Sequence, residues 1–303
     1  MLEKTKFRAM GCSILTVLDC PSPPDIFPEI PRWFDEWEEH LSRFRSHSEL
    51  SKVNRSNGIP TRVSPIFADV LEKAIEAEKL SEGLVTPILL DALISAGYDR
   101  DFNLMPHEKH NSLSLISPTT QHLNEINWDP ITSTLWMPPD LHLDFGGVGK
   151  GWAAHQTAQR LKKYGPCLVD AQGDIAVTAP QRDGSPWQIG IANPFESNEN
   201  IAVLHIREGG VATSGRDARQ WILNGKMAHH IIDPHTGFSA ETDVLTATVI
   251  APNVMQAETI AKTLLILGKE AALQWLDAHP GFAALLVLEN GDAWATENIE
   301  TYL

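Results

Sequence analysis

The chain has 303 residues, of which 43% are hydrophobic and 21% charged, as in a folded soluble protein rather than a disordered or fibrous one. It carries 24 Lys and Arg residues against 39 Asp and Glu residues, so its formal net charge is −15. This charge repels phosphate backbones and anionic lipid headgroups, so neither nucleic acid nor a membrane is an expected partner.

The first twenty residues predict a strand. Ile14, Thr16 and Leu18 alternate with other residues instead of forming the continuous apolar core of a signal peptide. No stretch approaches the roughly 20 apolar residues that span a bilayer, so we expect a cytoplasmic protein. The three cysteines are an odd number without metal-binding spacing, and they predict neither a disulfide framework nor a zinc site.

Two amphipathic helices are predicted in the first third of the chain, since apolar residues recur there at helical spacing. Those of the first helix are Trp33, Phe34, Trp37, Leu41 and Phe44. Those of the second are Val70, Leu71, Ala74 and Ile75, and this helix should end near Gly83.

Residues 103–139 are interrupted by five prolines and predict a loop-rich excursion with short strands. The excursion has apolar residues to bury, namely Ile126, Trp128, Leu135 and Trp136. It is therefore not expected to be a flexible linker.

A glycine-rich segment follows, from Leu141 to Gly151, and a helix with Ala154, Ala158 and Leu161 on its apolar face comes after it. A strand, a glycine loop and a helix in this order present backbone N–H groups and a positive helix end to a phosphate. The segment is neither a Walker A loop nor a dinucleotide fingerprint, because Asp144 and Trp152 stand where those motifs need glycine. A tight turn before a helix is the alternative interpretation.

Polar residues cluster again at Thr213–Arg216 and at His229–Gly237. Three histidines and Asp233 within the second stretch could supply a general base with an orienting carboxylate, or metal ligands. Pro234 and Gly237 predict a turn that projects them, although a polar surface loop is an equally simple interpretation. Ser214 has no nucleophile elbow around it, which argues against a hydrolytic triad.

A late helix is predicted from Asn253 to Gly268, with Glu258 and Lys262 one turn apart, a spacing typical of a solvated pair. Strands are predicted at 167–169, 201–206, 244–250 and 284–288, and the last meets an Asn290–Gly291 hairpin turn. Helices and strands mix without strict βαβ alternation, and no boundary between domains is evident. We therefore expect an α+β fold in a single domain spanning residues 1–303.

In order and spacing, these segments resemble the FAD:protein FMN transferase family, the ApbE-type flavin transferases. The matching segments are Met10-Gly11, Leu41–Arg45, Ser48–Asn54, Gly83–Pro87, Leu143–Gly151, Ala212–Gly215, His230–Gly237 and Ala257-Glu258. The resemblance implies an α+β, T-fold-related domain with mixed or antiparallel sheets and flanking helices. It also implies cleavage of FAD at its pyrophosphate and attachment of FMN to a Thr or Ser of a client flavoprotein, with Mg²⁺ assistance.

The resemblance further implies the site residues. His230 would be the general base, and Asp233 would orient it or shape the turn. FAD would be bound by Met10, Thr86, Gly146, Gly147, Gly149, Lys150, Thr213 and Ser214. The metal positions of the family correspond to the Gly149 carbonyl, Glu258 and Lys262.

This chain departs from the family pattern at those metal positions, where the family commonly has Asp and Thr. A protonated Lys cannot be a ligand, so Lys262 is predicted to replace the ion, and Mg²⁺ dependence is doubtful. Ile88 and His235 also replace the usual Thr and Arg. Two other hypotheses remain: a non-catalytic FAD-binding member of the family, and a metal-dependent hydrolase using His229, His230, Asp233 and His235.

Overall fold

The computed structural model describes residues 1–109, 123–196 and 198–303. In this part of the chain the helices are α1 (Glu29–Leu41), α2 (Glu49–Val53), α3 (Pro65–Leu80), α4 (Leu90–Ser95), α5 (Gly149–Leu161) and α6 (Val254–Ala278). The strands are β1 (Leu2–Ala9), β2 (Cys12–Asp19), β3 (Thr61–Arg62), β4 (Glu108–Lys109), β5 (Asn127–Asp129), β6 (Thr134–Trp136), β7 (Cys167–Ala171), β8 (Asp174–Val177), β9 (Trp187–Ala192), β10 (Asn200–Ile206), β11 (Gly209–Gly215), β12 (Gln220–Leu223), β13 (Lys226–His229), β14 (Ile232–Asp233), β15 (Phe238–Ser239), β16 (Val244–Ala251), β17 (Ala283–Leu288) and β18 (Ala293–Ala295).

The chain folds into two compact units, and both are discontinuous in sequence. The first comprises residues 1–31, 150–217 and 241–303, and the second comprises residues 32–149 and 218–240. No single cut in the sequence separates them, which is why composition gives no boundary. The organisation as a single domain stays a prediction.

The first unit is built on an antiparallel sheet of eight strands in the order β1-β2-β7-β8-β11-β16-β17-β18. Helix α6 packs on β11 and β16. The backbones of β11 and α6 approach closely at Gly210, where a Cβ would lie 2.1 Å from the Val254 nitrogen. An apolar cluster that includes Val17, Ile189 and Leu204 joins the sheet to the β9–β10 hairpin.

The second unit contains α2 to α4, almost all of α1, and small sheets whose strands pair antiparallel except for β12 with β4. Trp221 is buried in one of its apolar clusters and donates its indole N–H to the Ala96 carbonyl at 2.7 Å. The α+β class with mixed sheets is confirmed. None of the helices in the described ranges is both long and apolar enough to cross a bilayer.

Most predicted elements are confirmed, with shifts at their ends. The second predicted helix is α3, and Gly83 follows it with φ +92°, as a helix terminus requires. The four strands predicted between residues 167 and 288 are β7, β10, β16 and β17, and the Asn290–Gly291 turn joins β17 to β18. The predicted first strand is a hairpin, β1 and β2, joined by Met10 and Gly11, both with positive φ.

Four expectations about single residues or segments are wrong. Phe44 lies beyond the end of α1 and is 43% exposed, because the helix stops at Leu41. In the excursion, β5 and β6 form and Leu135 is buried, but Trp136 alternates to the outer face and is 37% exposed. Residues 110–122 of that excursion lie outside the described residues.

The late helix does not end at Gly268. It continues to Ala278 through a kink at which Gly268 has φ +74°. The strand expected directly before the glycine loop does not form either, since residues 141–145 have no regular secondary structure. Its place is taken by a side chain: the Asn54 amide accepts from the Leu143 N–H and donates to the Leu143 carbonyl, both at 2.8 Å.

Candidate functional site

The glycine loop turns the chain sharply into α5. The Asp144 carboxylate accepts a hydrogen bond from the Gly146 N–H at 2.8 Å, and the Phe145 carbonyl accepts one from the Gly149 N–H at 2.7 Å. These two bonds form successive turns that end at the first residue of the helix. The predicted order of a glycine loop followed by a helix N-terminus is thus present.

The glycines between residues 146 and 151 differ in the space available beside them. A Cβ at Gly146 would lie 2.7 Å from Asp144 Oδ1, and a Cβ at Gly151 would lie 2.5 Å from Glu258 Oε2. At Gly147 a Cβ would only touch the Val85 side chain at 3.7 Å, and at Gly149 it would meet no described atom within 4 Å. A side chain at 146 or 151 would therefore have to displace a carboxylate, whereas at 147 and 149 the local structure leaves room beside the backbone.

Two ion pairs with buried carboxylates lie in the first unit, near the start of α5. The Lys150 ammonium pairs with Asp174, a carboxylate that is 1% exposed. Burial alone would lower the pKa of Lys150, but the carboxylates of Asp174 and Glu258 outweigh burial and raise that pKa above its ordinary value. Lys150 is thus a fixed positive charge.

The second pair joins Glu258 and Lys262, and both belong to α6. The Glu258 carboxylate is fully buried; it accepts from the Lys262 ammonium at 2.9 Å and from the Gly151 N–H at 3.0 Å. Burial and repulsion from Asp174 raise the pKa of Glu258, and the two lysines oppose that shift. The expectation of a solvated pair is wrong, because α6 packs this face against the start of α5.

These residues do not fit Mg²⁺. The two oxygens of Glu258 are engaged by an ammonium and a backbone N–H, and Lys262 has only donors to offer. Among residues 1–109, 123–196 and 198–303, no group of three or more His, Cys, Asp or Glu side chains could hold a metal ion. Lys262 and Lys150 both place positive charge near the Glu258 carboxylate.

The predicted flavin-binding residues of the first unit lie on two elements. Met10 is in the β1–β2 turn with φ 51°. Thr213 and Ser214 are neighbours on β11, so their side chains point to opposite faces of the sheet. Thr213 Oγ1 lies 2.9 Å from Thr248 Oγ1, whereas Ser214 is buried. Only one of the two can face a given ligand.

In the second unit, Thr86 follows α3 and donates its hydroxyl to the Glu78 carboxylate. The neighbouring Ile88 is buried, with 7% of its surface exposed. The position at which the family commonly has a second polar residue is thus part of the apolar interior here.

The histidine segment forms the turn expected from Pro234 and Gly237. It joins β14 to β15, with the Gly237 N–H donating to the Asp233 carbonyl at 2.8 Å and Gly237 at φ +72°. The Asp233 carboxylate accepts from the His235 N–H at 2.9 Å. This contact stabilises the turn.

The two adjacent histidines have different surroundings. His229 is 5% exposed; one ring nitrogen accepts from the Ile231 N–H and the other lies 3.1 Å from the Ala240 carbonyl oxygen. His230 is the next residue after β13 and is partly exposed. His235 is 74% exposed, so His229, His230, Asp233 and His235 do not form the metal centre that the hydrolase hypothesis needs.

The predicted site residues divide between the units. The first unit holds Met10, Lys150, Thr213, Ser214, Glu258 and Lys262, and the second holds Thr86, Gly146, Gly147, Gly149, His230 and Asp233. The sequence alone indicated no role for Asp174 or for Asn54, although Asn54 lies in a segment that resembles the family. Their partners are 24 and 89 residues away, and no local pattern reveals such pairs.

The chain as a whole is similar to known proteins. The sequence model described as "ApbE family" matches residues 10–286. The chain is similar to the FAD:protein FMN transferase of Salmonella typhimurium, with 28% identity over 278 residues, 89% of this chain and 79% of that protein. It is also 28% identical to the protein of the same name from Treponema pallidum, over 89% of this chain and 79% of the relative.

Solved structures show the same fold. The crystal structure of an ApbE protein from Thermotoga maritima has a TM-score of 0.87 at 21% identity, covering 100% of this chain and 99% of that one. The apo form of the flavinyl transferase ApbE from Pseudomonas stutzeri has a TM-score of 0.83 at 22% identity, covering 99% and 96%.

Proposed function

Because the chain belongs to the ApbE family, we propose that it is an FAD:protein FMN transferase. It cleaves FAD at the pyrophosphate and attaches FMN to a Thr or Ser hydroxyl of a client flavoprotein. The observation that carries this proposal is the match to proteins of that name along 89% of the chain. The predicted cytoplasmic location is part of the same proposal.

The reaction is a phosphoryl-type transfer to an alcohol. The acceptor oxygen attacks the phosphorus on the riboflavin side of FAD, and the bond from that phosphorus to the bridging oxygen breaks. AMP leaves with the bridging oxygen, and His230 takes the acceptor's proton. A His side chain suits this step, since its ordinary pKa of about 6.5 leaves it largely neutral at physiological pH.

Binding of the pyrophosphate is assigned to the glycine loop and the N-terminal end of α5. Backbone N–H groups and the positive end of a helix attract phosphate without needing an excess of basic side chains. The room beside Gly147 and Gly149, which the local structure does not use, supports this assignment. Met10, Thr86, Lys150 and one of Thr213 and Ser214 remain proposed FAD contacts.

Positive charge for the reaction is assigned to Lys262 rather than to Mg²⁺. An ammonium stabilises developing negative charge electrostatically, but it carries half the charge of Mg²⁺ and cannot accept an oxygen ligand. The buried Glu258 carboxylate holds the ammonium in place at 2.9 Å. Transfer should therefore be slower than in metal-using relatives.

The experiment that tests the function is covalent labelling. The purified chain is incubated with FAD and a flavoprotein bearing the acceptor Thr, and flavin fluorescence is read in a denaturing gel. A fluorescent acceptor band is expected with FAD. No band is expected with FMN, which lacks the phosphoanhydride bond, or with a Thr→Ala acceptor.

Other outcomes of this experiment discriminate between the hypotheses. FAD that co-purifies with the chain but never labels an acceptor would support the non-catalytic FAD-binding member of the family. A chain that binds no FAD in equilibrium titration would contradict both flavin hypotheses.

A further inference from the structure

A buried arginine stands beside the glycine loop in the second unit. The Arg43 side chain is 9% exposed, and its Nε lies 2.9 Å from Asp144 Oδ2. Its Nη1 donates to the Tyr98 carbonyl at 2.7 Å. The guanidinium carbon lies 4.3 Å from the centroid of the Phe44 ring and 4.5 Å from that of Tyr98. These contacts fix both the position and the plane of the guanidinium.

Asp144 connects this arginine to the loop. One carboxylate oxygen pairs with Arg43, and the other accepts the Gly146 N–H at 2.8 Å. The Asp144 N–H donates to the Pro87 carbonyl at 2.7 Å, so the backbone of this residue is held as well. The Asp144 carboxylate therefore links the buried, rigidly held guanidinium to the first turn of the glycine loop.

The arrangement is costly to fold. Burying two charges has a desolvation cost that the attraction between them often fails to recover. In addition, Arg43 Nη2 is buried without a hydrogen-bond partner in the described part of the chain. A buried pair of this kind adds little net stability. Its contribution is therefore expected in the position that it gives to the glycine loop.

We propose that Arg43 is a positioning residue for FAD binding, acting through Asp144 to hold the glycine loop in its ligand-binding conformation. This role rests on the proposed function, because it concerns the same loop. It also accounts for glycine at 146: a carboxylate that Arg43 holds cannot retreat from a Cβ placed 2.7 Å away.

The first test replaces Arg43 with Gln and uses Arg45→Gln as the matched control. Arg45 follows two residues later and pairs with Asp35, Glu38 and Glu39, away from the loop. Arg43→Gln should raise the KM and Kd for FAD by about tenfold and change kcat at saturating FAD by less than about threefold. Arg45→Gln should leave both FAD constants within about twofold. Arg43→Lys should recover only part of the loss, since Lys lacks the planar fork.

A second readout needs no flavin. Hydrogen exchange of the backbone amides over 144–149 should be faster in unliganded Arg43→Gln than in the wild type, and unchanged in Arg45→Gln. Equal exchange in both variants would overturn the positioning role even if the wild type is an active transferase.

A double-mutant cycle with Gly146→Ala tests the route through Asp144. Each single variant should weaken FAD binding by about tenfold, but the double variant should be no more than about twofold worse than the weaker-binding single variant, because a released Asp144 can move away from Ala. Independent effects, about a hundredfold in the double variant, would overturn the proposal.

A wild-type chain that binds no FAD would contradict the proposed function and this role together, whereas FAD binding with additive losses would contradict this role alone.

Discussion

At the scale of single residues, His229 and His230 allow a direct comparison of a structural and a catalytic role. His230→Asn should lower the rate of covalent labelling by about 10²- to 10⁴-fold, the usual contribution of a general base, while FAD binding is retained. His229→Asn is the matched control. Its ring is buried between backbone groups, so that variant should lose stability more than catalytic rate.

Labelling rates and FAD titrations of both variants, with melting temperatures alongside, check this prediction. Equal rate losses in the two variants, or loss of FAD binding in His230→Asn, would remove the base role from His230.

A third histidine should make stability depend on pH. His142 Nδ1 lies 2.9 Å from Asp91 in α4, and this hydrogen bond, opposed by burial, raises the pKa of His142 above its ordinary value. The folded chain thus holds the proton more tightly than the unfolded chain. The resulting stabilisation is complete below the unfolded pKa of about 6.5 and disappears as pH rises through the folded pKa.

The change that tests this linkage is His142→Gln. It should lower the free energy of unfolding at about pH 5.5 and have a smaller effect at about pH 9, as measured by urea denaturation. His47→Gln is the control: His47 pairs with Glu39 at 2.9 Å but is 67% exposed, so little change is expected at either pH. A loss for His142→Gln that is the same at both pH values would contradict the linkage.

At the scale of elements, α5 and α6 meet through Glu258, whose two oxygens accept from the Gly151 N–H and the Lys262 ammonium. If Lys262 supplies the positive charge, as proposed, the wild-type chain should bind FAD and label its acceptor with little response to EDTA or added Mg²⁺. The double variant Glu258→Asp with Lys262→Thr shortens the carboxylate and removes the ammonium. We expect this variant to require Mg²⁺ for FAD binding or labelling.

Calorimetric titration of Mg²⁺, with and without FAD, checks the double variant. Lys262→Thr alone is the control; it leaves a buried carboxylate without its cation and should mainly lower stability. Strong inhibition of the wild type by EDTA would show that a metal binds through other ligands.

The same scale explains which elements the sequence could predict. Helices α3 and α5 were predictable because one face of each is apolar at helical spacing. Strands β16 and β17 were predictable because they are short runs of apolar residues, with only Thr246 and Thr248 intervening in β16. The kink in α6 was visible only as a glycine. A glycine at position 268 predicts a helix end, yet the helix continues to Ala278, with Ala272 and Leu276 buried beyond the kink.

On the scale of the whole molecule, the net charge of −15 opposes the approach of FAD, whose pyrophosphate is anionic. The association rate constant of FAD should therefore rise between about 0.01 M and about 0.15 M salt, as the Debye length falls from about 30 Å to about 8 Å. Stopped-flow flavin fluorescence measures it, with uncharged riboflavin as the control. Slower association of FAD at higher salt would mean that local lysines dominate the approach.

The sequence by itself determined the glycine loop and the turn at Pro234 and Gly237, because each depends on residues close together in the chain. It also determined the family and the α+β class, because these depend on the order of such local segments along the chain. Tertiary structure decided the rest. Only packing shows that Glu258 is buried against Gly151, that the Asn54 amide pairs with the Leu143 backbone, and that Arg43 holds Asp144. Periodicity describes one element at a time, whereas these contacts join residues about 90 to 107 positions apart, whose meeting depends on how all the intervening elements pack.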